Sequence, residues 1–266
     1  MFVKYRNSLL HFIKAGQGPK VLLAFHGFGK DCHNFDLTIP FLEDEFTVYS
    51  FDLFFHGESI WNEKDEFTQD QFKQLFNQFF NENNIGEFSL LSYSLGSRWA
   101  LGLSLFFGYR VQRMCMVAPD GLRWNPVFHL ASHGSDYNPL ISLFVRTPFV
   151  VVGGIKMMSK MGWLDDPMKM FFLNQIDSVP KRKNLINIWR SNKHLLFSRN
   201  ELKVNFNKTG IQLTLIFGKW DSVIPPTIGK KFSAMVAGSS YHEIDYGHNL
   251  LILAKVWHLI SKSLKA

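Results

Sequence analysis

Apolar residues in this chain come in short runs that end in glycine, histidine or aspartate, and most of these runs precede a stretch with helical spacing. Residues 2–6 and 9–14 read as two opening strands across an Asn7-Ser8 turn, and Gly16-Gln17-Gly18-Pro19 then punctuates the chain. Residues 21–25 form an apolar run closed by His26-Gly27-Phe28-Gly29, and residues 46–53 repeat the pattern before His56-Gly57-Glu58-Ser59. Unbroken apolar runs of this length suit parallel strands buried on both faces. Phe67, Leu75, Phe76, Phe79 and Phe80 fall on one face of a helix over 67–83, opened by Thr68 or Asp70 as a cap. Residues 88–92 predict a strand and 95–107 a helix; 114–118 predict a further strand, closed by Pro119-Asp120-Gly121.

The alternation fails after Gly121. Residues 122–206 carry Trp, Met and Phe in helix-like spacing, with prolines at 126, 139, 148, 167 and 180. It resumes with a strand over 211–217 that runs into Gly218-Lys219-Trp220-Asp221, a helix over 227–236, a strand over 241–244 and a closing helix after His248. Strand–helix repeats imply parallel pairing, because parallel neighbours need long crossovers. The expected fold class is therefore α/β: a doubly wound, mostly parallel sheet with a helical insertion after the sixth strand. Its parts are a core over 1–121, the insertion over 122–206 and the rest of the core over 207–266.

Composition narrows the function classes. A chain of 266 residues with 46% hydrophobic and 19% charged residues supports a sizeable core and excludes a disordered polyelectrolyte. Its 27 phenylalanines fill either a core or an apolar substrate pocket. The formal charge of +7 is concentrated in residues 122–208, which hold a net +8. A solvated lysine-rich face is the plain account of that excess, and attraction of anionic substrates or membrane surfaces the alternative. No nucleic-acid module accompanies the charge, so nucleic acid is not expected as a partner. The first residues lack a secretory leader, and the greasiest stretch, 140–152, is broken by Arg146 and Pro148. Cys32 and Cys115 are expected as reduced thiols of a cytoplasmic protein. No metal-ligand motif or dinucleotide fingerprint is present, so neither metal nor cofactor is expected.

The chemistry concentrates at Ser92-Tyr93-Ser94-Leu95-Gly96, where a strand turns abruptly into a helix. Small residues at 92 and 96 relieve crowding on either side of a sharp apex that would hold Ser94 out from the sheet edge. A serine hydroxyl needs a base, and the base needs an acid to hold its tautomer. His248 and Asp221 each follow a strand and would emerge on that same edge, in the order Ser…Asp…His. Asp120, at the end of the next strand, is the serious competitor for the acid; Asp245 is too close to His248 in sequence to be a strong one. His26 and His56 suit hydrogen bonds to loop backbone, His242 a place in the last strand, and His129, His133 and His194 the insertion. The Phe28 and Leu95 backbone N–H groups are positioned to form an oxyanion hole, each donor worth on the order of 3 kcal/mol of barrier.

On these residues (His26-Gly27-Phe28-Gly29, Asp52 with His56-Gly57-Glu58-Ser59, the Ser94 elbow, Gly218 to Asp221, and Gly247-His248) the chain resembles the α/β-hydrolase superfamily. It departs from the usual G-x-S-x-G elbow in having Ser92 for the first glycine. The resemblance implies a serine hydrolase with a helical cap at 122–206 and structural roles for Asp52, His56 and Ser59. It implies ester or related acyl hydrolysis of a small, apolar substrate through an acyl-enzyme. The run Gly96-Ser97-Arg98-Trp99 is similar to menaquinone-pathway C–C lyases and related C–C bond hydrolases, in which an arginine at that place binds a substrate carboxylate. Some relatives keep the triad but act as ligand receptors. Arg98, Tyr93 and Trp220 are the candidates for substrate contact.

Overall fold

The computed structural model describes residues 1–123, 126–133, 139–162 and 166–265. Eight strands form one sheet: β1 (Phe2–Tyr5), β2 (Ser8–Ala15), β3 (Lys20–Phe25), β4 (Phe46–Phe51), β5 (Phe88–Tyr93), β6 (Val111–Val117), β7 (Gln212–Gly218) and β8 (Ser240–Ile244). Their order across the sheet is β1-β2-β4-β3-β5-β6-β7-β8. The β1–β2 and β2–β4 pairings are antiparallel, and all the others are parallel. The expected doubly wound, mostly parallel sheet is present, and β3 lies beside β5.

The helices are α1 (Gln69–Glu82), α2 (Ser97–Phe106), α3 (Pro126–His133), α4 (Pro139–Arg146), α5 (Phe149–Lys160), α6 (Asp166–Ile176), α7 (Val179–Ser191), α8 (Arg199–Thr209), α9 (Pro226–Ser233) and α10 (Ala254–Lys265). Thr68 caps α1 through a reciprocal capping box with Gln71, which resolves the choice between Thr68 and Asp70. None of these helices is long and apolar enough to cross a membrane.

Side chains of the central strands alternate between two covered faces, as a period of two requires. Leu22, Ala24, Val48, Leu91 and Val117 join Val256, Ile260 and Leu264 of α10 in one buried cluster. On the other face, Phe25 and Phe51 meet Phe76 of α1 at 6.0 and 5.7 Å between ring centroids, and Phe25 meets Trp99 of α2 at 6.1 Å. The phenylalanine surplus is thus largely core: most rings on α1, α2 and β4 pack edge-on or tilted, while Phe51 stacks on Phe25 and Phe80 on Phe88, and each fully buried ring contributes about 2–3 kcal/mol.

The chain divides into two compact units, Met1–Trp124 with His194–Ala266, and Asn125–Lys193. The expected insertion ran to residue 206, yet His194 and α8 belong to the larger unit. The reason is packing: Leu202 and Phe206 of α8 are buried, Phe206 meets Phe232 of α9, and Asn205 Nδ2 donates to Ser104 O of α2 at 2.9 Å. Helical spacing in sequence could not distinguish a helix of the insertion from one returning to the sheet. The smaller unit is built of helices in its described residues, and buried Arg182 of α7 ties it together by donating to Val145 O and Ile176 O at 2.7 and 2.6 Å.

Candidate active site

Parallel strands deliver their last residues to one edge, and β5, β7 and β8 each release a polar side chain there. Ser94 follows β5 directly, with a φ of +50° in the left-handed region that a non-glycine residue adopts at a cost of about 1–3 kcal/mol. The neighbouring backbone enforces it. A side chain at Gly96 would place its Cβ 2.2 Å from Phe25 O, and one at Gly27 would meet the Tyr93 ring at 2.7 Å and Ser94 Cβ at 3.3 Å. Glycine at 96 therefore lets the elbow press against the end of β3, and glycine at 27 brings the β3 loop against the serine. Ser92, in place of the usual first glycine, is fully buried and pairs its hydroxyl with that of Ser97 at 2.9 Å.

His248 touches two partners with two different nitrogens. Nε2 lies 3.1 Å from Ser94 Oγ, and Nδ1 lies 2.7 Å from Asp221 Oδ2. Asp221 Oδ1 accepts the backbone N–H groups of Val223 and Ile224 at 2.9 and 2.8 Å, so Oδ2 is the oxygen turned to the imidazole. The loops carrying the two residues are joined as well: Lys219 N–H donates to Ile244 O at 2.8 Å, and Trp220 N–H to Tyr246 O at 3.0 Å. Ser94, Asp221 and the His248 side chain are all at least nine-tenths buried, which strengthens their mutual electrostatics over what water would allow. A proton path from hydroxyl to imidazole to a fixed carboxylate is what this arrangement offers.

The other expected site residues fall differently. Asp120 sits beside the elbow, and its N–H donates to Ser94 O at 3.0 Å. Its Oδ2 is held by Arg98 Nε at 2.8 Å and its Oδ1 by the Gly121 N–H at 2.8 Å, so it is engaged by other donors while Asp221 holds the histidine. Arg98 is 1% exposed, and its Nε makes this ion pair within the fold. The buried Tyr93 hydroxyl donates to His248 O at 3.2 Å, and burial, with Asp221 nearby, pushes its pKa up. Trp220 is 65% exposed and donates its indole N–H to Asp245 Oδ1. Phe28 and Leu95 occupy the β3 loop and the first turn after Ser94, the two backbone positions expected of oxyanion donors.

Histidines 26 and 56 are structural supports of the β3 loop. His26 Nδ1 bonds Gly27 O at 2.7 Å while its Nε2 accepts the Leu53 N–H at 2.9 Å, which fixes a neutral tautomer. Burial, helped by neighbouring His56, lowers its pKa to about 3. His56 bonds Phe54 O, and its ring meets those of His26 and Phe28 edge-on; burial lowers its pKa to about 4. His242 lies half-buried on edge strand β8, and His194 bonds Glu66 within the larger unit. Sequence reasoning missed one cluster entirely: His11, Cys32 and Asp52 converge within 4.8 Å of one another in the core. The spacing of the three residues along the chain carried no signal of it, because β2 reaches them only through its pairing with β4.

A family model described as alpha/beta hydrolase fold matches residues 20–255. The chain belongs to this family. Among curated relatives of this alpha/beta hydrolase, an uncharacterised protein of Mycobacterium tuberculosis is 29% identical over 154 residues, 56% of this chain and 44% of the relative. The match thus spans less than half the length of that relative. A thermophilic esterase from Thermogutta terrifontis superposes with a TM-score of 0.71 at 18% identity, over 97% of this chain and 93% of the esterase. A meta-cleavage product hydrolase from Pseudomonas fluorescens superposes with a TM-score of 0.67 at 17% identity, over 100% and 97% of the two chains. At such identities the likeness is one of fold.

Proposed function

We propose that this alpha/beta hydrolase is a serine hydrolase that cleaves an ester or related acyl bond of a small substrate. The observation that carries the reading is the division of labour on His248, with Nε2 at Ser94 Oγ and Nδ1 at Asp221 Oδ2. Ser94 Oγ attacks the carbonyl carbon as its proton passes to His248 Nε2, and Asp221 stabilises the imidazolium that results. The former carbonyl oxygen takes the negative charge and is met by the Phe28 and Leu95 N–H groups. Collapse breaks the bond to the leaving group, which departs with the proton from His248. Water then attacks the acyl-enzyme by the same route, and Ser94 regains its proton.

The smaller unit enters the chain between β6 and β7, the chain position of the family's helical cap. Two free, buried cysteines suit a reducing, cytoplasmic setting. The C–C bond alternative needs a cation for a substrate carboxylate, and its candidate, Arg98, is buried with its Nε on Asp120 Oδ2. A fluorophosphonate probe tests the serine: one adduct, mapped by peptide mass spectrometry to Ser94 in folded protein and lost on denaturation beforehand, is expected. A folded protein that leaves Ser94 unlabelled rejects the proposal.

A further inference from the structure

A cavity of about 750 Å3 opens within the larger unit, a volume that takes a small organic ligand. Residues 121–123 form one wall, residues 196–199 a second, and Thr227, Ile228 and Lys231 a third. Among the described residues, the charged side chains of the lining are Arg123, Arg199 and Lys231, and no carboxylate is among them. Neighbouring acids are already engaged: Asp120 holds Arg98, and Glu201 Oε2 accepts the Ser198 N–H at 2.7 Å. Arg199 Nε donates to Leu122 O at 2.8 Å and so pins one cation between two walls. Helices α8 and α9 both begin at the cavity, which Ser198 and Arg199 line at the one and Thr227 and Ile228 at the other.

The walls continue the loops of the candidate active site. Asp120, whose N–H bonds the Ser94 carbonyl, directly precedes the first wall, and α9 follows the Asp221 turn. We propose that this cavity receives an oxyanion, a carboxylate or phosphate carried on the substrate away from its scissile bond, so that the enzyme selects anionic acyl compounds over neutral ones. The proposal rests on the serine-hydrolase reading for its catalytic half. The binding half stands on the cavity alone.

The test separates the two. In a Ser94→Ala variant, calorimetry with glutarate and with inorganic phosphate should detect one-to-one binding of at least one, and comparing the two tells which oxyanion is preferred. Adding Arg123→Ala and Lys231→Ala, both at exposed positions, should weaken that binding about tenfold, with a thermal melt confirming the fold. With Ser94 intact, the same double substitution should lower the kcat/KM ratio of mono-4-nitrophenyl glutarate over 4-nitrophenyl butyrate about tenfold. Failure of both anions to bind, or binding indifferent to the two substitutions, overturns the cavity assignment whatever the activity. If the unaltered enzyme turns over neither ester, the hydrolase reading fails, and calorimetry alone decides the cavity.

Discussion

Among its described residues the larger unit holds two buried histidine–aspartate pairs, each beside a side chain able in principle to act as a nucleophile, and only one is arranged to use it. At the sheet edge, His248 offers Nε2 to Ser94 and Nδ1 to Asp221, so a proton accepted on one side is answered by a charge on the other. In the core, His11 turns the same atom, Nδ1, to both Asp52 Oδ2 at 2.8 Å and Cys32 Sγ at 4.0 Å. That imidazole cannot relay between them. Asp52 is also saturated: Oδ1 accepts the Cys32 N–H at 2.6 Å, and Oδ2 accepts the Glu58 N–H at 2.8 Å. Burial opposes its ionisation, but these hydrogen bonds outweigh burial and hold its pKa below the usual carboxylate value. Burial and the Asp52 charge push the Cys32 thiol up to about 12, so it is inert at neutral pH. Similar groups are arranged as a candidate reaction centre in one place and as a knot of structure in the other; which ring nitrogen meets which partner decides.

The contrast is sharpest in turnover. Ser94→Ala should lower kcat about 10⁴- to 10⁶-fold, and Asp221→Asn about 10⁴-fold by presenting an amide to Nδ1 and favouring the wrong tautomer. Cys32→Ala should stay within about twofold of the parent, since a buried thiol with a raised pKa takes no part. Steady-state assays on an activated ester measure all three. A loss at Cys32→Ala comparable with that at Ser94→Ala would erase the distinction.

Stability against pH is the next largest effect, and it belongs to the two buried histidines that support the β3 loop. His26 and His56 are held neutral in the fold, with pKa values of about 3 and about 4, while in the unfolded chain each titrates near 6.5. Below about 6.5 the unfolded chain therefore binds protons that the native state refuses. Stability falls as pH falls, from about 6.5 to about 4 for His56 and to about 3 for His26. Between pH 7 and 5 the two rings together should cost about 4 kcal/mol. Urea melts at the two pH values measure the loss, and His56→Gln should remove roughly half of it. Melts that do not change with pH would show that the rings are not buried as described.

The smallest effect is at Asp52. An asparagine in its place would offer one oxygen where two backbone N–H donors now find separate oxygens, so Asp52→Asn should destabilise by about 2–3 kcal/mol. Chemical denaturation reads the loss. Activity per folded molecule should stay near that of the parent, unlike Asp221→Asn.

Much of this was legible along the chain. Apolar runs ending in glycine or aspartate marked β3, β4 and β7, and the Ser94 elbow after β5 announced itself through its small neighbours. Asp120 and Asp221 remained rivals in sequence because each closes a strand; the Arg98 pair and the Val223 and Ile224 N–H groups separate them in space. The end of the insertion was misjudged because helix periodicity reports a buried face without naming what covers it.

By itself, then, the sequence determined the alternation of strand and helix, the order Ser…Asp…His and the turns that bring those residues to a common sheet edge. These are local matters of periodicity and steric size. Only the tertiary structure decided which aspartate meets the histidine, that Arg98 pairs with Asp120 inside the fold, and that Cys32, His11 and Asp52 form a closed cluster. Each of those outcomes depends on contacts between strands far apart in the chain, and a hydrogen bond is set by atoms within about 3 Å of one another, a distance that sequence separation does not encode.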